Sequence, residues 1–212
     1  MPNQTTEKIY YDPISVAQRT NQKLHLVNSR DKREILLHLI KSYTDLHAVV
    51  ITTTKREADA ITDYLNRQEI HTVSLHGSKR AEQNKSAADA FEVGEVTVLV
   101  TTDKILQSLK LSKISHLISY DLPIEPEYYL SRMAVLNEQG EAIALVSETQ
   151  EVALLDIERV MRHEIIEAPI EGFIPASEPD STTQPLKEKS KKPRHRKQKK
   201  KRTTKTEIEE KA

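Results

Sequence analysis

The sequence predicts an α/β fold in which a parallel β-sheet carries helices on both faces. Six short apolar runs alternate with segments whose apolar residues recur at helical spacing. Continuous apolar runs are typical of strands that are buried on both faces, because helices cover a parallel sheet from both sides. The regular alternation of strand and helix along the chain indicates the same architecture.

The predicted elements follow one another in a regular order. The strands cover residues 23–27, 48–53, 71–75, 96–101, 116–121 and 141–146. The helices cover residues 31–43, 55–68 and 79–92, then one begins near residue 125 and the last covers 148–162. Ile35, Leu36, Leu39 and Ile40 have the spacing of one buried helical face, and Pro126 suits the first turn of its helix.

Composition divides the chain into four parts. A lead-in (1–22) precedes a folded domain (23–173), and a linker rich in Pro, Ser and Thr (174–185) precedes a basic tail (186–212). The tail holds 13 Lys and Arg against 4 Asp and Glu, so its net charge of +9 is balanced by −9 elsewhere. The tail has no apolar face, and we expect it to be disordered.

Composition also excludes several kinds of site. The sequence contains no cysteine, which excludes disulfides, thiolate metal sites and a thiol nucleophile. No apolar run approaches the roughly 18 to 20 residues that span a bilayer, and the first residues lack the features of a signal peptide. The histidines do not have metal-ligand spacing. We therefore expect a cytoplasmic protein with no metal site and no membrane partner.

In a parallel sheet the ligand sites lie at the carboxyl ends of the strands. The loops 53–56, 76–80, 101–104 and 121–125 are placed there. The stretches around them read "VVITTTKREADAITDYL", "VSLHGSKRAEQNKSAADAFEVGEVTVLVTTD" and "ISHLISYDLPIEPEYYLSR". In order and spacing they are similar to the second RecA-like domain of DEAD-box RNA helicases. The resemblance covers residues 12–173 and implies a RecA-like sheet; several linked motifs are more specific than a single match.

The resemblance also implies that the ATP-binding half of such a helicase is missing. In the family the first domain supplies the phosphate-binding loop, the Mg²⁺ carboxylates and the adenine pocket. This sequence has four glycines and does not contain the loop motif G-x-x-x-x-G-K-S/T. Without that cradle of N–H groups and its lysine, ATP has no high-affinity site. We expect no cofactor for the chain alone, and ATP with Mg²⁺ only if a separate chain supplies the first domain.

The retained half departs from the family pattern in two regions that face RNA or nucleotide. After Thr-Asp the family reads roughly I-A-A-R-G-L-D-I, whereas Gln107, Ser108 and Lys110 replace its Arg, Gly and Asp. The glutamine and arginine that follow His-Gly in the family align with Ala81 and Asn84.

A third departure concerns the arginines of the family motif H-R-I-G-R-T-G-R. Its first arginine is retained as Arg132, a vestigial nucleotide contact, but the two that reach toward the γ-phosphate become Val135 and Glu138. An arginine finger is worth about 10³ to 10⁵ in rate. The resemblance therefore implies that this chain has no catalytic residue and does not hydrolyse ATP.

An RNA-facing edge is nevertheless implied by the resemblance. The hydroxyl of Thr102 could bond a phosphate, with Asp103 orienting a neighbour, and Gly77 would let the backbone approach the ligand. The helix that follows the second strand presents free N–H groups, which favour an anion. The predicted RNA-binding residues of this edge are Thr53, Thr54, Lys55, Arg56, His76, Gly77, Thr102 and Asp103.

The tail is a second predicted RNA-binding element. Its segment "KEKSKKPRHRKQKKKRTTK" has 12 Lys and Arg against one Glu, which suits salt-sensitive binding to phosphates without sequence preference. The alternatives are a solubilising tail, a membrane-surface tail or docking onto the acidic body. The predicted contacts are Lys191, Lys192, Arg194, Arg196, Lys197, Lys199, Lys200, Lys201 and Arg202.

Structural roles stay open for several residues of the edge. Thr102 and Asp103 could cap the short helix that follows them, and His76 could be a half-buried histidine with a satisfied hydrogen bond. Lys55 and Arg56 could be ordinary solvated residues of a first helical turn.

Two further alternatives concern the helix that begins at Pro126. Arg132 could pair with Asp121 or Glu125 instead of contacting a nucleotide. Of the adjacent tyrosines 128 and 129, one could stack on a base while at least one packs against the sheet.

Taken together, these features predict a non-catalytic RNA-binding or ribosome-associated accessory protein that binds RNA without sequence preference. One alternative is a subunit of a split ATP-dependent RNA helicase, completed by a separate chain that carries the first domain. Another is a regulator that docks on a full-length helicase.

Overall fold

A computed structural model describes residues 12–136 and 140–173 of the chain. They form a seven-stranded parallel sheet with helices on both faces, which confirms the predicted α/β class. The strands are β1 (Asn21–Leu26), β2 (Ala48–Thr52), β3 (Thr72–Leu75), β4 (Val98–Thr102), β5 (His116–Ser119), β6 (Glu141–Val146) and β7 (Ile166–Glu167).

The helices connect the strands as the sequence pattern predicts. They are α1 (Pro13–Arg19), α2 (Lys32–Ser42), α3 (Lys55–Arg67), α4 (Ala81–Glu92), α5 (Asp103–Leu106), α6 (Pro126–Met133) and α7 (Glu151–Met161). A 3₁₀ turn (Glu148–Gln150) leads directly into α7, so the predicted last helix contains two segments. No helix among the described residues is both long enough and apolar enough to cross a membrane.

The strands β2, β4, β5 and β6 each contribute to two apolar clusters, one on either face of the sheet. Val49 and Ile51 of β2 lie in the cluster that α1, α4, α6 and α7 cover. Ala48 and Val50 lie in the cluster that α2 and α3 cover. This alternation follows from the two-residue period of a strand. Each fully buried aliphatic side chain contributes roughly 1.5 to 3 kcal/mol relative to exposure.

The strand order is β3-β4-β2-β5-β6-β1-β7, and it decides which loops become neighbours. Thr101 pairs with Leu75 of β3, Thr102 pairs with Thr52 of β2, and Ile51 pairs with Ser119 of β5. The loops after β3, β4, β2 and β5 therefore emerge side by side at the carboxyl edge of the sheet. These are the four loops that the sequence predicts as ligand-facing.

Two elements, α1 and β7, are not predicted from the sequence. In α1 the Asp12 carboxylate accepts hydrogen bonds from the N–H groups of Ile14 and Ser15, and Ala17 is fully buried. The predicted lead-in thus includes a helix that packs against α6 and α7. Strand β7 has only two residues, both exposed, so it has no apolar pattern.

Candidate nucleic-acid interface at the strand ends

A groove of about 520 Å³ runs across the carboxyl ends of β3, β4, β2 and β5. We call it the strand-end groove. The loops after β2, β3 and β4 line it with Thr53, Lys55, His76, Gly77, Ser78, Thr102, Asp103 and Lys104. The loop after β5 and the first turn of α6 line it with Pro123, Ile124, Glu125 and Tyr128.

Six of the eight RNA-binding residues that the sequence predicts on this edge line the groove. The exceptions are Thr54 and Arg56, which lie beside it at the start of α3. Sequence reasoning identified the loops but did not single out Ser78, Lys104 or Ile124. The predicted contacts in the tail lie outside the described residues.

The start of α3 is built as an anion-facing helix end. Thr54 caps it, because its hydroxyl oxygen accepts a hydrogen bond from the N–H of Glu57 at 3.2 Å. Within the described residues, the N–H groups of Lys55 and Arg56 have no hydrogen-bond acceptor. Both side chains are exposed. The helix dipole and the unbonded N–H groups favour an anion at this position.

Lys55 and Lys104 supply the positive charge of the groove. Neither ammonium group forms an ion pair with a carboxylate of the described residues, and both side chains are exposed. Glu125 is the opposing charge, since the Asp103 carboxylate is already neutralised by an arginine. The groove therefore offers two cations against one unpaired carboxylate.

Arg132 is fully buried, and it binds the loops after β4 and β5 to each other. Its Nε donates to Asp103 Oδ1 at 2.6 Å and its Nη2 donates to Asp103 Oδ2 at 2.8 Å. Its Nη1 donates to Ser119 Oγ and to the backbone oxygen of Asp121, both at 2.8 Å. Such a two-pronged pair is strong because both N–H···O bonds are charge-assisted.

This geometry corrects two sequence interpretations. Arg132 does form an ion pair, but its partner is Asp103 and not the carboxylate of Asp121 or Glu125. Its guanidinium has no exposed surface, and its role as a vestigial nucleotide contact stays a prediction. Thr102 precedes α5, but its side chain makes no capping hydrogen bond there, so its hydroxyl is not used as a cap.

Asp121 is a second link between neighbouring loops. Its Oδ2 accepts hydrogen bonds from the Thr53 N–H at 3.3 Å and from the Thr53 hydroxyl at 3.5 Å. Its Oδ1 pairs with the ammonium of Lys32 at 3.1 Å, and Lys32 also donates to Gln150 Oε1 at 2.7 Å. Burial lowers the pKa of Lys32, against the opposing effect of Asp121. The hydroxyl of Thr53 is thus already held by the protein.

His76 is buried, more deeply than the half-buried histidine of the structural interpretation, and one of its nitrogens is bonded. Its Nε2 lies 2.9 Å from Asp59 Oδ1, while its buried Nδ1 has no partner among the described residues. Burial would raise the pKa of Asp59, but hydrogen bonds from His76 and Ser74 outweigh it and lower the pKa. The backbone oxygen of His76 accepts a bond from Asn84 Nδ2 at 3.2 Å.

Gly77 leaves the floor of the groove open. A Cβ atom placed on it would meet nothing within 4 Å, and its φ is not positive, so neither packing nor backbone geometry requires glycine. The absence of a side chain keeps this part of the groove accessible to a ligand.

Among the described residues, the positions that depart from the family pattern do not line the groove, and they differ in their exposure. Gln107 and Ser108 follow α5 and are exposed, as is Lys110. Val135 packs against the apolar cluster that α6 covers, so it faces the core. Glu138 lies outside the described residues. Within residues 12–136 and 140–173, no group of three His, Asp or Glu side chains could hold a metal ion.

The seven-stranded parallel sheet with helices on both faces has the RecA-like α/β fold. Residues 31–134 match the helicase conserved C-terminal domain. The chain is thus similar over this region to the C-terminal domain of helicases, and the relatives that it matches are DEAD-box RNA helicases, in agreement with its sequence resemblance.

The comparisons place that domain among longer proteins. The DEAD-box ATP-dependent RNA helicase RhpA of Helicobacter pylori is 28% identical over 162 residues, which are 74% of this chain and 33% of the relative. The chain thus spans about a third of the length of that relative.

Two solved structures show the same fold. E. coli DEAD-box protein SrmB, bound to regulator of ribonuclease activity A, has a TM-score of 0.67 at 20% identity over 75% of this chain and 98% of that chain. S. cerevisiae Dbp5, bound to RNA and ADP BeF3, has a TM-score of 0.66 at 22% identity over 72% of this chain and 42% of that chain.

Proposed function

We propose that this chain is a non-catalytic RNA-binding accessory protein, whose strand-end groove holds the phosphate backbone of RNA. The observation that carries the proposal is a pair of exposed lysines, Lys55 and Lys104, which have no ion-pair partner among the described residues and lie beside the N-terminus of α3. Cations and free N–H groups bind phosphate without reading the base sequence.

The architecture of the groove supports a preformed phosphate site. Arg132 and Asp121 join the loops after β2, β4 and β5, so the groove keeps its shape without a ligand. Binding to a preformed site avoids the entropy of ordering loops. The RNA helicases among the relatives, and the RNA in the Dbp5 structure, favour RNA as the polyanion.

The non-catalytic part of the proposal rests on charge. Phosphoryl transfer needs positive charge at the γ-phosphate. Val135 is uncharged and packs against the apolar cluster, and the charge of Arg132 is paired with Asp103. We propose that the chain binds no ATP by itself. In the described residues no loop resembles the phosphate cradle of a first helicase domain.

The length of the relatives favours one other candidate, a subunit of a split RNA helicase. RhpA is about three times as long as its matched part, since that part is 33% of its length. A separate polypeptide would then supply the ATP-binding domain. ATPase activity that arises only when this chain is mixed with a lone first domain would support this candidate over the accessory role.

A salt titration of single-stranded RNA binding tests the proposal. We would measure fluorescence anisotropy for the full chain and for a chain that ends at Gln184. Binding by the shorter chain, with a log–log salt slope of about −0.7 per phosphate neutralised, is the expected result. If the shorter chain does not bind while the full chain does, the basic tail alone is the RNA-binding element and the groove proposal is wrong.

A further inference from the structure

The most exposed large apolar side chain of the described residues lies at the mouth of the strand-end groove. Ile124 is 89% exposed, and it lines the groove together with the buried Pro123 and the half-buried Tyr128. A single exposed isoleucine is ordinary, but an apolar patch bordered by polar residues in a groove is typical of a binding site, and Ile124 shares the groove with Pro123 and Tyr128. The other lining side chains of the groove are polar or charged, apart from Gly77.

We infer that this apolar end of the groove receives one unstacked nucleobase of single-stranded RNA, while Lys55 and Lys104 hold the neighbouring phosphates. The inference rests on the proposed function, because it assigns a base contact to the same groove. It goes beyond backbone binding, since a phosphate site alone leaves the bases untouched.

The two adjacent tyrosines show how α6 presents this surface. Tyr129 is 1% exposed, and its hydroxyl donates to Gln22 Oε1 at 2.9 Å. That anchor fixes the helix against the apolar cluster below it. Tyr128 is the next residue on the helix and lines the groove, and its hydroxyl has no hydrogen-bond partner among the described residues.

The apolar end of the groove, formed by Pro123, Ile124 and Tyr128, is held in place by the protein itself. Pro126 starts α6, and Arg132 at its far end bonds to the backbone oxygen of Asp121, which precedes the apolar segment. Pro123 is buried. A rigid aromatic and aliphatic surface loses little entropy when a base stacks on it, and such stacking is worth about 1 to 3 kcal/mol per base.

The size and charge of the groove favour a nucleotide over a protein segment. Its volume of about 520 Å³ lies within the roughly 300 to 1,000 Å³ of pockets that hold small organic ligands. The apolar part has three side chains and is bordered by Lys55 and Lys104. A stable protein interface buries roughly 1,200 Å² or more, which this patch does not provide.

The inference predicts a preference for single strands without a preference for sequence. A base that is paired inside a duplex cannot leave its stack without cost, whereas every base of a single strand has a π-face to offer. The tail contains no aromatic residue, so it cannot produce this preference by stacking.

The test compares two probes with the full chain, a single-stranded RNA and the matching abasic ribose-phosphate strand. Affinities are measured at a salt concentration at which Lys55→Ala/Lys104→Ala weakens RNA binding, so that the groove carries part of the affinity. We expect the wild type to prefer the base-bearing strand about tenfold, as one stacked base would give.

Four variants assign that preference to the apolar end. Ile124→Ala and Tyr128→Ala are expected to reduce the ratio of the two affinities, base-bearing to abasic, toward one without changing the affinity for the abasic strand. Tyr128→Phe is expected to keep the wild-type ratio. Ile166→Ala, which truncates another exposed isoleucine on β7, is the matched control and should leave the ratio unchanged. RNA that contains 4-thiouridine should crosslink, on irradiation, to the peptide that carries residues 123–128.

Two results would overturn the inference and are distinguishable from each other. Equal affinity for both probes, with the lysine variant still weakened, would mean that the groove binds only phosphates and that the proposed function stands. A change in association with a complete helicase in Ile124→Ala, at an unchanged probe ratio, would mean that the patch docks a protein. If no salt concentration reveals an effect of the lysine variant, the proposed function itself fails.

Discussion

The two edges of the sheet use similar residues in opposite ways. At the amino edge, Lys23 pairs with Glu141 at 2.9 Å and donates to the Tyr43 hydroxyl at 2.8 Å. The centroids of the His116 and Tyr43 rings are 4.1 Å apart. At the carboxyl edge, Lys55 and Lys104 are exposed and have no such partners among the described residues.

The contrast between the paired lysine of the amino edge and the exposed lysines of the carboxyl edge indicates where we expect a ligand to bind. Charges that are satisfied by other side chains stabilise the fold, as the network around Glu141 does. Burial alone would lower the pKa of Lys23, but the hydrogen bonds that its ammonium donates to Tyr43 and Glu141 outweigh burial and raise the pKa. Within the described residues Lys55 and Lys104 have no such partner beside the strand-end groove, so they are free to bind an anion.

The largest expected effect concerns Arg132, which supports the carboxyl edge from below. Arg132→Leu should lower the free energy of unfolding by about 3 to 5 kcal/mol, because the Asp103 carboxylate is left without its partner. Urea denaturation measures this. Arg159→Leu, which removes an exposed pair with Asp156, is the control and should cost less than about 1 kcal/mol.

A compensating variant separates the ion pair from the general loss of packing. Arg132→Leu/Asp103→Leu removes both charges, and we expect it to be more stable than Arg132→Leu alone. If the double variant is no more stable than the single one, the unpaired carboxylate is not the cause of the loss.

The next effect concerns the amino edge, where the charges are structural. Lys23→Met should lower the free energy of unfolding by about 1 to 2 kcal/mol, since it removes the hydrogen bonds of a charged side chain that is only 25% exposed. Its RNA affinity should equal that of the wild type. Lys41→Met, at an exposed position of α2, should change stability by less than about 0.5 kcal/mol. Weaker RNA binding in Lys23→Met would contradict the division between the edges.

A smaller effect is expected in the pH dependence of stability. Burial lowers the pKa of His116, although Glu141 opposes this and Lys23 reinforces it; Tyr43 and Ser115 complete its surroundings. Between the lowered pKa of His116 in the folded protein and its value of 6.5 in the unfolded chain, the unfolded chain binds more protons than the folded one. Stability is therefore full above the unfolded value of 6.5 and falls as the pH drops below it.

His116→Gln should reduce that acid sensitivity. The measurement is urea unfolding at pH 7.5 and pH 5.5, with His163→Gln, on an exposed residue after α7, as the control. The same loss of stability on acidification in His116→Gln and the wild type would contradict the assignment.

Local pattern predicts most of the fold but little of the contact geometry. The apolar runs identify six of the seven strands, and the missed β7 has two exposed residues. The partner of Arg132 depends on the strand order, because Asp103 lies 29 residues away and is brought near by the sheet. Sequence proximity favoured Asp121 and Glu125 instead.

The same limit explains what sequence reasoning missed in the site. Lys32 meets Asp121 across 89 residues, so only the folded sheet shows that Asp121 is engaged. The exposure of Ile124 depends equally on which neighbours surround it, because an isolated isoleucine in a loop gives no signal by itself. The family resemblance, by contrast, pointed directly at the four loops that form the groove.

The most direct test of the account is a charge-matched comparison of RNA binding. Salt titrations of the chain that ends at Gln184 would compare Lys55→Ala/Lys104→Ala with Lys41→Ala/Lys113→Ala, two exposed lysines outside the groove. We predict that only the groove variant loses affinity, and that its plot of log affinity against log salt concentration has a slope shallower by about 0.7 for each lost phosphate contact. Equal behaviour of the two double variants would contradict it.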